Sequence, residues 1–147
     1  MRGNQVREPM IPGAVVLLED DATTAALIRQ VLAATNIANP LEHFTSGIEA
    51  VRQIGQWTDA GSPPVLVVLD LSVPDLSGLD VLQRIRARPE LAAVPVVMLS
   101  GSGDDADIER AYEIGIDAYL VKPAGIHGLP DVIRRLGLPQ LLLPRPG

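Results

Sequence analysis

Four times in this sequence a short apolar run ends on side chains that can do chemistry. Ala14–Leu18 runs out at Asp20-Asp21, Val65–Leu69 at Asp70, Val94–Leu99 at Ser100, and Ala118–Val121 at Lys122-Pro123. An ionised carboxylate left inside a dry sheet costs several kcal/mol, so Asp70 must sit just outside the end of its strand. Three carboxylates gathered in one place repel one another, and a hard divalent cation among them removes the conflict. Mg2+ prefers oxygen ligands, keeps several waters, and takes one or two carboxylates together with phosphate oxygens. A phosphoryl group on Asp70 would supply those oxygens. Lys122 would neutralise a second phosphoryl oxygen, and the Ser100 hydroxyl would donate to a third. The chemistry suggested is phosphoryl transfer onto Asp70, with positioning and charge neutralisation supplying most of the catalysis.

Residues so far apart in sequence meet only if the elements carrying them are parallel and end on one edge. The chain reads as five strand–helix units. Helices are predicted over residues 22–34, from Ser46 to about Ile54, and over 78–87, 104–114 and 129–136. Their apolar residues recur at helical spacing, as in Leu27, Ile28, Val31 and Leu32. Pro89 stops the third helix and Gly115 the fourth. Leu41–Phe44 is the most polar strand and is assigned to an edge, whereas strands one, three and four are apolar throughout, as strands covered on both faces are. The expected fold is α/β: a flavodoxin-like, doubly wound, five-stranded parallel sheet in the order 2-1-3-4-5, with five helices.

With 147 residues, 47% of them apolar, the chain has the makings of one globular domain with a largely aliphatic core. Residues 1–13 read as an extended tail. The formal charge of −6 argues against direct nucleic-acid binding, which needs a basic footprint, and against an anionic membrane surface. The absence of cysteine excludes disulfides, thiolate metal sites and thiol nucleophiles. The first apolar run is too short for a signal peptide, and no segment has the length of a membrane span. A cytoplasmic location follows as the expectation.

Taken together, the acidic pair after strand one, Asp70 followed by x-x-Val-Pro-x-x-x-Gly, the Ser-Gly pair after strand four and the Lys-Pro after strand five resemble the receiver domain of two-component response regulators. The resemblance covers residues 13–137, and the motifs match it in order and spacing. It implies a phosphoacceptor at Asp70, fed by a sensor histidine kinase and dependent on Mg2+. Asp21 and Asp70 would be direct metal ligands with the Ser72 backbone carbonyl, and Asp20 would act mainly through water. Ser100 and Tyr119 would be the switch pair and Lys122 the phosphate-contacting lysine, with a cis bond to Pro123. Ser72 and Ser102 would tune hydrolysis of the acyl phosphate. Val73 and Ala124 stand where Met and Phe are frequent. His43 and His127 read as surface or loop residues, Trp57 as a cap on a helix end, and Asp104, Asp105 and Asp107 as a solvated helix start.

With the domain taken as 14–137, residues 138–147 remain as an apolar extension with no basic output module after it. Leu138, Leu141, Leu142 and Leu143 require burial, while Pro139 and Pro144 oppose a long helix. In its long helix-two loop and the Arg-Pro-Glu-Leu-Ala-Ala-Val-Pro run at Arg88–Pro95, the chain also resembles, less specifically, the single-domain regulators paired with bacterial phytochrome kinases, some of which exchange C-terminal extensions. The expectation is a homodimer through the C-terminal region and output through protein contacts. Two other classes fit less well. A phosphatase of the haloacid dehalogenase type would want a second aspartate where Ser72 stands. An unphosphorylated adaptor of this fold would be expected to lack site residues, and none is missing here.

Overall fold

The structure, a computed structural model, describes residues 13–35 and 39–136. Strands β1 (Val15–Leu18), β2 (Leu41–Phe44), β3 (Leu66–Leu69), β4 (Val96–Ser100) and β5 (Ala118–Val121) alternate with helices α1 (Ala22–Ala33), α2 (Gly47–Asp59), α3 (Gly78–Arg86), α4 (Asp105–Ile114) and α5 (Ala124–Arg135). All strand pairings are parallel, in the order β2-β1-β3-β4-β5. The expected order and the edge position of β2 both hold. Residues 1–12 and the leucines at 138 and 141–143, on which the tail and dimer expectations fall, lie outside the described residues.

The apolar runs of the central strands serve two cores at once, because successive side chains in a strand face opposite ways. Val16, Leu18, Val67, Leu69, Val96 and Met98 face α2, α3 and α4. Val15, Leu17, Leu66, Val68, Val97 and Leu99 face α1 and α5. Four helices begin on a capping side chain, Asp21, Ser46, Ser77 and Asp104 respectively, each accepting a hydrogen bond from the first turn.

Two helices extend beyond their predicted limits. Helix α2 continues to Asp59, so Trp57 lies inside it and meets Phe44 edge-on, ring centroids 6.2 Å apart. Helix α5 starts at Ala124, five residues before the predicted 129, and runs through Pro130. Gly125, Gly128 and Pro130 are poor helix formers, which hid this first part. Packing overrides them: Ile126, Leu129 and Ile133 are buried against the sheet. A Cβ at Gly125 would come within 2.8 Å of the Leu120 Cβ, so glycine lets the helix approach β5.

Gly78 opens α3 at a comparable point. Its N–H donates to the Leu71 carbonyl at 3.1 Å, and a Cβ added there would collide with the Asp70 carbonyl oxygen. Backbone cannot yield as a flexible side chain can. Gly78→Ala is therefore expected to cost about 1–3 kcal/mol, read as a lower urea midpoint at unchanged m-value; an unaltered midpoint would show that the segment has room.

Candidate functional site

The C-terminal ends of the strands form one edge, and backbone bonds carry the chain past them. The N–H groups of Glu19, Asp70 and Lys122 donate to the carbonyls of Phe44, Leu18 and Ser100 at 3.0, 3.0 and 2.7 Å. These bonds hold the residues that follow the strands as firmly as the strands themselves. Asp70 is 5% exposed, Ser100 is fully buried and Glu19 is 1% exposed. The Lys122 ammonium lies between two carboxylates, 2.8 Å from Glu19 Oε1 and 3.5 Å from Asp70 Oδ2. Carboxylate oxygens of Glu19, Asp20 and Asp70 come within 4.8 Å of one another, with Asp20 exposed. An all-oxygen acidic set of this size fits a hard divalent cation.

Asp21 is a correction to the sequence reading. Its carboxylate accepts from the Thr24 N–H at 2.8 Å and from the Thr24 hydroxyl at 2.5 Å, which holds it at the N-terminus of α1. Those bonds keep its pKa below the ordinary carboxylate value, the Thr24 hydroxyl first. It is not in the acidic group, and Glu19, which is outside the expected ligand set, is. A signal was present: an aspartate immediately before the first helical residue, with a threonine three residues on, has the form of an N-cap. The acidic pair on the edge is therefore Glu19-Asp20.

Glu19 bears the electrostatic strain of the site. Burial is the main cause raising its pKa, with the charge of Asp70 adding to it, while the hydrogen bonds it accepts from the Lys122 ammonium and the Asp21 N–H pull the other way. Burial opposes the Lys122 charge as well, but the bond to Glu19 and the charges of Asp70 and Glu19 outweigh it and the ammonium is held above its ordinary value.

On the β4–β5 side, Ser102 joins the two candidate switch residues. Its N–H donates to the Ser100 hydroxyl oxygen at 3.1 Å, and its carbonyl accepts from the Tyr119 hydroxyl at 2.8 Å. The Ser102 hydroxyl donates in turn to Asp107 on α4 at 2.6 Å, so Asp107 does more than lie on a solvated helix start. Ser72 is exposed, its N–H 3.3 Å from Asp70 Oδ1. The Lys122–Pro123 bond is cis. His43 is a partly buried strand residue rather than a loop one, with Nε2 donating to the Glu19 carbonyl at 2.8 Å. His127 is exposed on α5.

The sequence pattern of the response regulator receiver domain matches residues 15–134. Response regulator Rcp1 of Synechocystis sp. is 31% identical over 126 residues, which span 84% of this chain and 85% of that protein. The Mn2+-bound form of Rcp1 superposes with a TM-score of 0.71 at 28% identity, over 92% of this chain and 100% of the other. A phosphorylated cyanobacterial phytochrome response regulator, RcpA, gives a TM-score of 0.70 at 31% identity, over 86% and 91%. The bacteriophytochrome response regulator RtBRR gives 0.73 at 31% identity, over 85% and 78%. Among the described residues, no helix is long and apolar enough to cross a membrane.

Proposed function

This chain belongs to the response regulator receiver domain family, and from that premise we propose that it is a cytoplasmic response regulator phosphorylated on Asp70 by a sensor histidine kinase. The observation that carries the reading is the buried Asp70 carboxylate with the Lys122 ammonium 3.5 Å away and two further acids beside it. An Asp70 oxygen would attack phosphorus, the P–N bond to the kinase histidine would break, and an acyl phosphate and free imidazole would result. Asp20, Asp70 and the Ser72 carbonyl would hold Mg2+, with Glu19 in place of Asp21 as the fourth oxygen donor. The cation would neutralise charge on the phosphoryl oxygens. Lys122 would pass from Glu19 and Asp70 to the phosphoryl group, Ser100 would donate to it, and Tyr119 would follow through Ser102.

The kinase is proposed to be a bacteriophytochrome, since RcpA and RtBRR are phytochrome-linked by name. Output is proposed to run through protein contacts, which suits the charge of −6. The receiver domain is taken as 14–137 and the apolar residues 138–147 as the homodimer contact. Incubation with acetyl phosphate and Mg2+ should add the mass of one phosphoryl group, located to the Asp70 peptide; addition elsewhere, or none, would overturn the assignment. Light scattering at tens of micromolar should give the mass of two chains, and Leu141→Ser with Leu142→Ser the mass of one. A monomer before substitution would remove the dimer proposal and leave phosphorylation standing.

A further inference from the structure

Asp75 lies outside the acidic group, five residues beyond Asp70 in the segment between β3 and α3. It is exposed, yet its carboxylate is fully engaged. Oδ1 accepts from the N–H of Gly47 at 2.9 Å and of Leu76 at 2.8 Å, and Oδ2 accepts from the Ser46 hydroxyl and from the Ile48 N–H at 3.4 Å. Three of these donors belong to the start of α2, a helix elsewhere in the chain. Ser46 already caps α2 by accepting from Glu49, so Asp75 satisfies first-turn N–H groups that its cap leaves over. The hydrogen bond from Ser46, first among these contacts, holds the Asp75 pKa down at about 2, as expected of a carboxylate that is a strong acceptor.

The backbones meet at the same place. A Cβ at Gly47 would collide with the Leu76 carbonyl, as one at Gly78 would with the Asp70 carbonyl. Between these points Val73 is buried, at 5% exposure. Residues 71–77 are thus held in the core at Val73, against α2 at Asp75 and Leu76, and against Asp70 through Gly78. Ser72 lies within that span. The anchor at Asp75 is the one made by a side chain to another element through hydrogen bonds alone, and it is the one that can be weakened without opening the core.

We propose that Asp75 is a positioning residue for the phosphorylation site: by tethering the β3–α3 segment to the N-terminus of α2, it holds Asp70 and the Ser72 carbonyl in the arrangement that takes the divalent cation. It touches neither cation nor phosphoryl group and acts through the backbone. The inference rests on the reading of Asp70 given above.

The test is Mn2+ affinity of the unphosphorylated full chain, from water-proton relaxation at neutral pH, beside thermal melts of each variant. Asp75→Ala is expected to weaken Mn2+ binding roughly tenfold, the lower end of what losing a group behind the metal ligands costs. Asp75→Asn keeps an oxygen that can accept from the Gly47 and Leu76 N–H groups, and its amide can donate to the Ser46 hydroxyl oxygen, so it should recover most of that loss. Ser46→Ala, which leaves Asp75 in place and removes one donor, should shift affinity the same way by less, and it carries the test with Asp75→Asn if Asp75→Ala does not fold. A lower melting temperature with unchanged Mn2+ affinity would mean that Asp75 only caps α2, and the inference falls. It falls equally if Asp75→Asn binds Mn2+ no better than Asp75→Ala. If the unmodified chain binds Mn2+ but takes no phosphoryl group on Asp70, the functional reading fails and the tether stands. If it takes the phosphoryl group while Asp75→Ala binds Mn2+ normally, the tether alone fails.

Discussion

Asp70→Asn is expected to reduce phosphoryl uptake from acetyl phosphate to below about a thousandth of the unmodified chain, the scale of loss when a nucleophile is removed from a site that acts as a unit. The amide is nearly isosteric, and its oxygen can still accept from the Ser72 N–H that now lies 3.3 Å from Oδ1. What disappears is the nucleophile and one charge of the acidic set. Affinity for Mg2+ should fall with that charge. Stability should not: the change removes repulsion between Asp70 and Glu19 as well as attraction to Lys122, so the melting temperature is expected to be equal or higher. Phosphoryl labelling, a metal titration and a melt of the same preparation check the three parts. Uptake that persists in a folded Asp70→Asn chain would end the phosphoacceptor assignment.

Lys122→Ala should have three effects that differ in sign. Phosphoryl uptake should fall by roughly 10²–10³, the usual result of removing one pre-placed donor to developing charge. Divalent-cation affinity should rise, because the ammonium that competes for Glu19 and Asp70 is gone. Stability without metal should fall by about 3 kcal/mol, since two buried carboxylates lose their counter-charge. That deficit depends on pH with a definite sign. Glu19 already has a raised pKa in the folded chain, from burial first and from Asp70, and losing the Lys122 contacts raises it further. The penalty is therefore full above the raised folded pKa of Glu19 and is relieved as pH falls through it toward the ordinary value of an unfolded glutamate. Saturating Mg2+ should also relieve it, by mass action. Urea unfolding with and without Mg2+ across acid to neutral pH reads all of this. A variant as stable as the parent without metal at neutral pH would mean that Lys122 does not balance the two acids.

Much of the fold was legible because burial on both faces leaves a simple trace. Leu66–Leu69 and Val96–Leu99 are apolar at every position, and helical periodicity separates them. The first turns of α5 were not legible, because Gly125, Gly128 and Pro130 speak locally against a helix and only the sheet beneath Ile126 and Leu129 favours one. The role of Asp75 is illegible in the sequence for a related reason. It looks like one more loop aspartate until α2, whose start is 28 residues away at Gly47, is brought against it.

The sequence by itself determined that Asp70, Ser100 and Lys122 come to one edge, because each follows a strand that parallel pairing must end on the same side. It did not separate the three consecutive acids, Glu19, Asp20 and Asp21, because the N-cap form of Asp21 is by itself compatible with metal binding. That choice depends on where β1 ends and α1 begins. The last β1-side backbone bond, from Glu19 to Phe44, turns the Glu19 side chain into the site, while capping α1 turns Asp21 away from it. The bond from Lys122 to Glu19 spans 103 residues of sequence. Its strength comes from burial shared by two strand ends, and only the packed sheet supplies that.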